Sequence, residues 1–95
     1  MTSTPVQRSA VAAARSLGFR VDSPADLEVV VEYRCRSRWV WARIGPRDIE
    51  VRLGDAALGP TTSAGVLRPG DGAVFAYREV EPADLLASVV EWVDG

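Results

Sequence analysis

The sequence has no histidine, no lysine and no asparagine, and it has a single cysteine, Cys35. Each absence closes off a class of chemistry. Without His, neither a Ser-His-Asp nor a Cys-His catalytic site can be assembled, and the side chain that most often moves protons near neutral pH is missing. One Cys with no His leaves no four-ligand Cys/His zinc site and no internal disulfide, which fits a reducing, cytoplasmic setting. No cofactor and no metal are therefore expected. No apolar run approaches the roughly 18 residues that a membrane-spanning helix needs, so no membrane partner is expected either. Internal repeats and low-complexity tracts are also missing. The stretch from Met1 to Phe19 carries Arg and no acid, as transit peptides do. It has no apolar region followed by a cleavage site, however, and is expected to belong to the fold.

What is present is an ordinary globular composition. At 47% hydrophobic and 25% charged, the 95 residues lie well away from the regime that keeps chains disordered. One core, and one domain over residues 1–95, is the expectation. All 11 basic residues are Arg and small residues are abundant, the pattern of a bacterial high-GC coding sequence. Arg is thus a weaker sign of selected anion recognition than it would otherwise be. A net charge of −2 argues against a surface built throughout for nucleic acid or an anionic membrane.

The ends of the chain read as helices. Thr4 can cap, Pro5 suits a first turn and Gly18 a left-handed exit, which predicts a helix over Pro5 to Leu17. Val6, Ala10, Ala13, Ala14 and Leu17 recur at helical spacing on its inner face, opposite Arg8, Ala12 and Arg15. Glu81 and Pro82 open a second helix with an apolar stripe of Leu85, Leu86, Val89, Val90 and Val93, flanked by Trp92.

Between them the period changes to two. Leu27, Val29, Val31, Tyr33 and Cys35 alternate as a strand. A turn at Ser37-Arg38 sets Cys35 opposite Val40, Tyr33 opposite Ala42 and Val31 opposite Ile44. A second turn over Gly45 to Asp48 sets Ile44 opposite Ile49, Ala42 opposite Val51 and Val40 opposite Leu53, all on one apolar face. Asp55 to Leu58 read as a turn of helix. Gly65 to Arg68 and Ala73 to Val80, flanking Pro69-Gly70-Asp71-Gly72, read as a last hairpin. The expected fold is an α+β two-layer sandwich: a mainly antiparallel sheet, made of a three-stranded meander plus a C-terminal hairpin, with both terminal helices on one face. The expected order is α-β-β-β-(α)-β-β-α.

The opposite face is unusual. The same register lines up Glu32, Arg43 and Glu50 in one row, Arg34, Trp41 and Arg52 in a second, and Arg36 with Trp39 in a third. Arg–Trp stacking contributes about 0.5–1 kcal/mol when exposed, and a surface ion pair about 0–1 kcal/mol.

Candidate catalytic groups fail one by one. Arg34 and Arg36 neighbour Cys35 in sequence, but strand alternation sends them to the other face, so Cys35 reads as a structural thiol. Arg43 between Glu32 and Glu50 explains that acidic pair by neutralisation, and Asp22, Asp26, Glu81 and Asp84 sit at turns or helix starts. Neither glycine-containing loop has phosphate-binding spacing. Catalytic residues are expected to be absent, and the chain is expected not to be an enzyme.

Exposed Trp flanked by Arg has the composition of interface hot spots. Trp39, Trp41, Arg34, Arg36, Arg43 and Arg52 are therefore the expected partner-binding residues of an accessory, regulatory or immunity-like interaction module. Its partner is a protein or a second copy of the chain, as a homodimer. The alternative is single-stranded nucleic acid, with Trp39 and Trp41 stacking on bases and Arg34, Arg36, Arg38, Arg43 and Arg52 meeting phosphates. A further alternative is a small-ligand binder or enzyme using a pocket between helices and sheet.

Overall fold

The computed structural model describes residues 4–22, 28–54, 59–62, 65–67 and 72–95. Its first element, α1 (Pro5–Ser16), begins where the sequence signals it. The Thr4 hydroxyl accepts from the Gln7 amide and Pro5 occupies the first turn, while Gly18 takes a positive φ of 97° at the exit. Thr4 also donates to the Pro46 carbonyl at 2.9 Å, tying the cap to the sheet. One expectation on this helix fails: Val6 is 43% exposed, and Gln7 is buried in its stead at 2%. Gln7 Nε2 donates to the Ile44 carbonyl at 3.1 Å, and that bond offsets the burial of its amide.

The strands are β1 (Arg20–Asp22), β2 (Val29–Cys35), β3 (Arg38–Ile44), β4 (Asp48–Gly54), β5 (Thr61–Thr62), β6 (Gly65–Val66) and β7 (Ala73–Ala76), followed by the helix α2 (Pro82–Asp94). Five strands form one antiparallel sheet in the order β1-β2-β3-β4-β7, and β5 and β6 form a separate small hairpin. Both helices pack on the same face and on each other, which is the expected α+β sandwich. Val31, Val40, Ala42, Ile44, Ile49, Val51 and Leu53 from the sheet meet Ala10 and Ala14 from α1 and Leu85, Leu86, Val89 and Val93 from α2. Alternation alone accounts for this face, because each of those strand residues is two positions from the next.

The second hairpin has the expected register, with Ile44 opposite Ile49, Ala42 opposite Val51 and Val40 opposite Leu53. The first is displaced by two residues: Cys35 faces Arg38, Tyr33 faces Val40, Val31 faces Ala42 and Val29 faces Ile44. The turn is Arg36-Ser37, with Arg36 at φ 57°, and Arg38 belongs to β3. A shift of two conserves which face each side chain occupies but changes its partner.

The C-terminal hairpin is also corrected. β6 pairs with the preceding β5, whereas β7 pairs with β4, setting Ile49 opposite Phe75 and Glu50 opposite Val74. β1, which the sequence reading missed, lies against β2 and sets Val21 opposite Val31. Residues 55–58, expected as a helical turn, and most of the Pro69–Gly72 turn lie outside the described residues, as do Asp26 and Leu27.

The helix layer is fastened at its far end by polar contacts. Tyr33 Oη donates to Asp94 Oδ1 at 2.7 Å, and Arg38 Nη1 donates to the Trp92 carbonyl at 2.7 Å while its guanidinium lies 5.1 Å over the Trp92 ring. A cation on the last carbonyls of α2 is favourable because the helix dipole is negative there.

Candidate functional site

The face of the sheet turned away from both helices carries the even-numbered residues of β2 and β4 and the odd-numbered residues of β3. Its rows follow from the pairing. Arg34, Trp39 and Gly54 form one, and Arg20, Glu32, Trp41 and Arg52 the next. Asp22, Val30, Arg43, Glu50 and Val74 form a third. Beyond these, Asp48 stands opposite Ala76, and Glu28 reaches Arg43 at 3.5 Å.

Trp39 and Trp41 are half-buried neighbours on this face. Trp39 lies flat over Gly54: a Cβ built there would fall 2.0 Å from Cε2 of the indole. The glycine is thus the seat of the ring. Arg52 stacks over Trp41 at 5.5 Å from the ring centroid. Around them opens a concavity of about 370 Å³, to which Glu32, Arg34, Trp39, Trp41 and Arg52 contribute.

The six residues expected to bind a partner do not all gather there. Arg34 and Arg52 join the two Trp residues, but Arg43 is spent on structure. Its side chain is only 20% exposed, and it bridges Glu28, Asp48 and Glu50 at 3.5, 3.3 and 3.2 Å. Burial alone would lower its pKa, but these carboxylates outweigh burial and raise it. Glu50 behaves in the mirror sense. Burial pushes its pKa up, yet hydrogen bonds from Arg43 and Arg52 prevail and hold it below the ordinary carboxylate value. The pairing of Glu32 with Arg43 expected from sequence is replaced by Arg20 to Glu32 at 3.4 Å. Arg36 sits at the hairpin tip and contributes to a different small cavity, with Arg38, Val93 and Asp94. Arg38 itself points into the helix layer.

Cys35 is half-buried, with its side chain on the helix side of the sheet and packed against the core. Arg34, by contrast, is exposed and makes no ion pair among the described residues. Two residues that sequence reasoning passed over shape the face: Gly54, which seats Trp39, and Arg20, which pairs with Glu32. A Gly ending a strand opposite a Trp is a readable signal for the first. The second becomes visible only once β1 is assigned.

Among the described residues no group of three or more His, Cys, Asp or Glu side chains is arranged to hold a metal ion. None of the described helices is long and apolar enough to cross a membrane. Comparison with family models, with curated proteins and with solved structures returns no match to this chain.

Proposed function

We propose that this domain is a protein-interaction module that binds through the outer face of its sheet, with Trp39 and Trp41 as the anchors. One observation carries the reading: two half-buried indoles stand side by side among charged residues on the face opposite both helices. Rings of this kind supply rigid contact area, and neighbouring guanidiniums supply directional bonds, which is why Trp and Arg dominate binding hot spots. The Arg52 stack on Trp41 and the Gly54 seat under Trp39 hold both rings in one conformation before a partner arrives. Little rotamer freedom is then lost on binding.

Single-stranded nucleic acid is the weaker reading. A strand needs a run of cations to follow successive phosphates. Of the five arginines that would serve, Arg43 and Arg52 are bonded to carboxylates and Arg38 to α2, and Glu32 and Glu50 stand within the same rows.

The test compares wild type with Trp41→Ala, whose ring lies outside the core. The variant is expected to melt close to wild type and to lose at least tenfold in affinity, measured by sedimentation for self-association or by calorimetry for a purified partner. Unaltered affinity would refute the reading, and loss of the fold would make this face core. Titration of a mixed single-stranded oligonucleotide at low salt covers the competing reading. Tight binding that falls steeply with salt would favour it over ours.

A further inference from the structure

The charges on this outer face are graded along the strands. Formal charge by row runs +1 for Arg34, then +1 for Arg20 and Arg52 against Glu32, then −1 for Arg43 against Asp22 and Glu50, and −2 for Glu28 with Asp48. The face is thus positive at the β2–β3 hairpin end and negative at the other, with the Trp rings on the positive side. A surface of that kind is complementary to itself when reversed, because the positive end of one copy overlies the negative end of the other.

We infer that the occupant of this face is a second copy of the chain, packed sheet to sheet with strands antiparallel. The inference rests on the interaction reading given above and names its partner. The two-fold axis lies in the interface plane, parallel to the rows and midway between the Trp41 row and the Arg43 row. Such an axis lays each strand over the same strand of the other copy with its direction reversed. Arg34 then stands over Glu28 of the second copy, Arg20 over its Asp22, and Arg52 over its Glu50. Trp41 lies over the Arg43 position of the second copy, and Trp39 over its Gly45. Every cation of the Arg34 and Trp41 rows finds a carboxylate on its own strand position, and the contact set is isologous as a closed dimer requires.

Size limits how tight this association is. Strands of 3, 7, 7, 7 and 4 residues, at about 3.3 Å per residue and 4.8 Å between strands, present roughly 450 Å² per copy. The total buried, about 900 Å², then falls short of the roughly 1,000 Å² that a stable specific interface clears and is in the range of weak, transient ones. Association is therefore concentration-dependent, and its polar composition makes it sensitive to salt.

Charge exchange tests the arrangement. Wild type, Arg34→Glu and Glu28→Arg are examined by sedimentation equilibrium from micromolar to millimolar concentration at low salt, alone and as an equimolar mixture of the two variants. In the proposed dimer each variant sets like charges opposite one another at both contacts, and each is expected to weaken self-association at least tenfold. In the mixed dimer both contacts are again Glu against Arg, so the mixture is expected to regain affinity within about threefold of wild type. Arg34 is exposed and makes no ion pair among the described residues, and Arg43 keeps Asp48 and Glu50 when Glu28 is replaced, so both variants are expected to fold. Thermal melts check this. Should Glu28→Arg fail to fold, Arg20→Asp with Asp22→Arg is the corresponding exchange at exposed positions, at the cost of only the surface pair of Arg20 with Glu32.

A wild type that stays monomeric to millimolar concentration overturns the inference, as does a dimer indifferent to each variant or a mixture no tighter than its components. A monomer whose binding to a different purified protein is lost in Trp41→Ala would overturn the second copy as occupant and leave the interaction reading standing.

Discussion

Replacing Gly54 with alanine tests the seat of Trp39, and with it the geometry of the whole outer face. The added Cβ would lie 2.0 Å from Cε2, 2.1 Å from Nε1 and 2.3 Å from Cζ2 of the indole, whereas carbon atoms in favourable contact stand about 3.5–4.0 Å apart. The indole is rigid, so the whole ring must lift by roughly 1.5 Å or rotate away. Overpacking of that size costs about 1–3 kcal/mol. Gly54 does not have a positive φ, so the backbone itself accepts alanine, and replacing this glycine at the strand's end favours folding by roughly 0.5–1 kcal/mol. The clash is the larger effect. With about 4–8 °C of Tm per kcal/mol for a domain of this size, a net loss of up to about 2.5 kcal/mol lowers the melting temperature by as much as roughly 20 °C. Circular dichroism reads the melt, and the near-ultraviolet Trp signal reads the displaced ring. The decisive control is the same change in a Trp39→Ala background. With the indole gone the penalty vanishes and Gly54→Ala becomes neutral to stabilising, a reversal of sign that a double-mutant cycle isolates. An equal loss of stability in both backgrounds would refute the argument that the ring rests on the glycine.

Ile44 is fully buried, and Ile44→Asp places a carboxylate without a partner in the core, so the variant is expected to show no cooperative melt at 25 °C and above. Gln7→Leu removes one donor to the Ile44 carbonyl, which stays in the ladder opposite Val29, with an expected loss of about 0.5–1.5 kcal/mol in denaturant unfolding. Burial pushes Tyr77 up to about 12, and Tyr33 is raised from its ordinary 10.0 first by the Tyr33 bond to Asp94 and then by desolvation. The folded state therefore holds protons that the unfolded chain releases, and stability is expected to fall as pH rises from about 10 towards 12. Tyr77→Phe flattens that decline; an undiminished slope would show that another group is responsible. Glu50 has the opposite linkage. Held below 4.5 by Arg43 and Arg52 against the pull of burial, it contributes stability that is present above pH 4.5 and lost as pH falls through its folded value. Glu50→Gln reduces this acid sensitivity in pH-dependent melts.

Which residues share a face was readable because a strand has period two. Val31, Val40, Ala42, Ile44, Ile49, Val51 and Leu53 fall on the buried side under any pairing that conserves parity, and both helices were marked by their caps and stripes. The partner across the first hairpin was not readable. Turns Arg36-Ser37 and Ser37-Arg38 both leave apolar residues together, and no Gly or Asn marks the position that takes a positive φ, which Arg36 occupies. That two-residue difference moved Trp41 from Arg34 to Glu32 and put Arg34 beside Trp39.

The sequence by itself thus determined the class of fold, the composition of its core and the fact that Trp39 and Trp41 lie away from that core, because these depend on local periodicity and the burial of apolar surface. Only the tertiary structure decided that β7 joins β4 and that β1 extends the opposite edge, since β7 does not follow β4 in the chain and three residues are too few for β1 to show a period. It alone separated arginines of identical sequence character into Arg43 held among three carboxylates, Arg38 fastened to α2 and Arg34 left exposed beside an indole. The physical reason is that a charged side chain takes its role from neighbours brought by other strands and helices, whereas an apolar one needs only to know which side is inward.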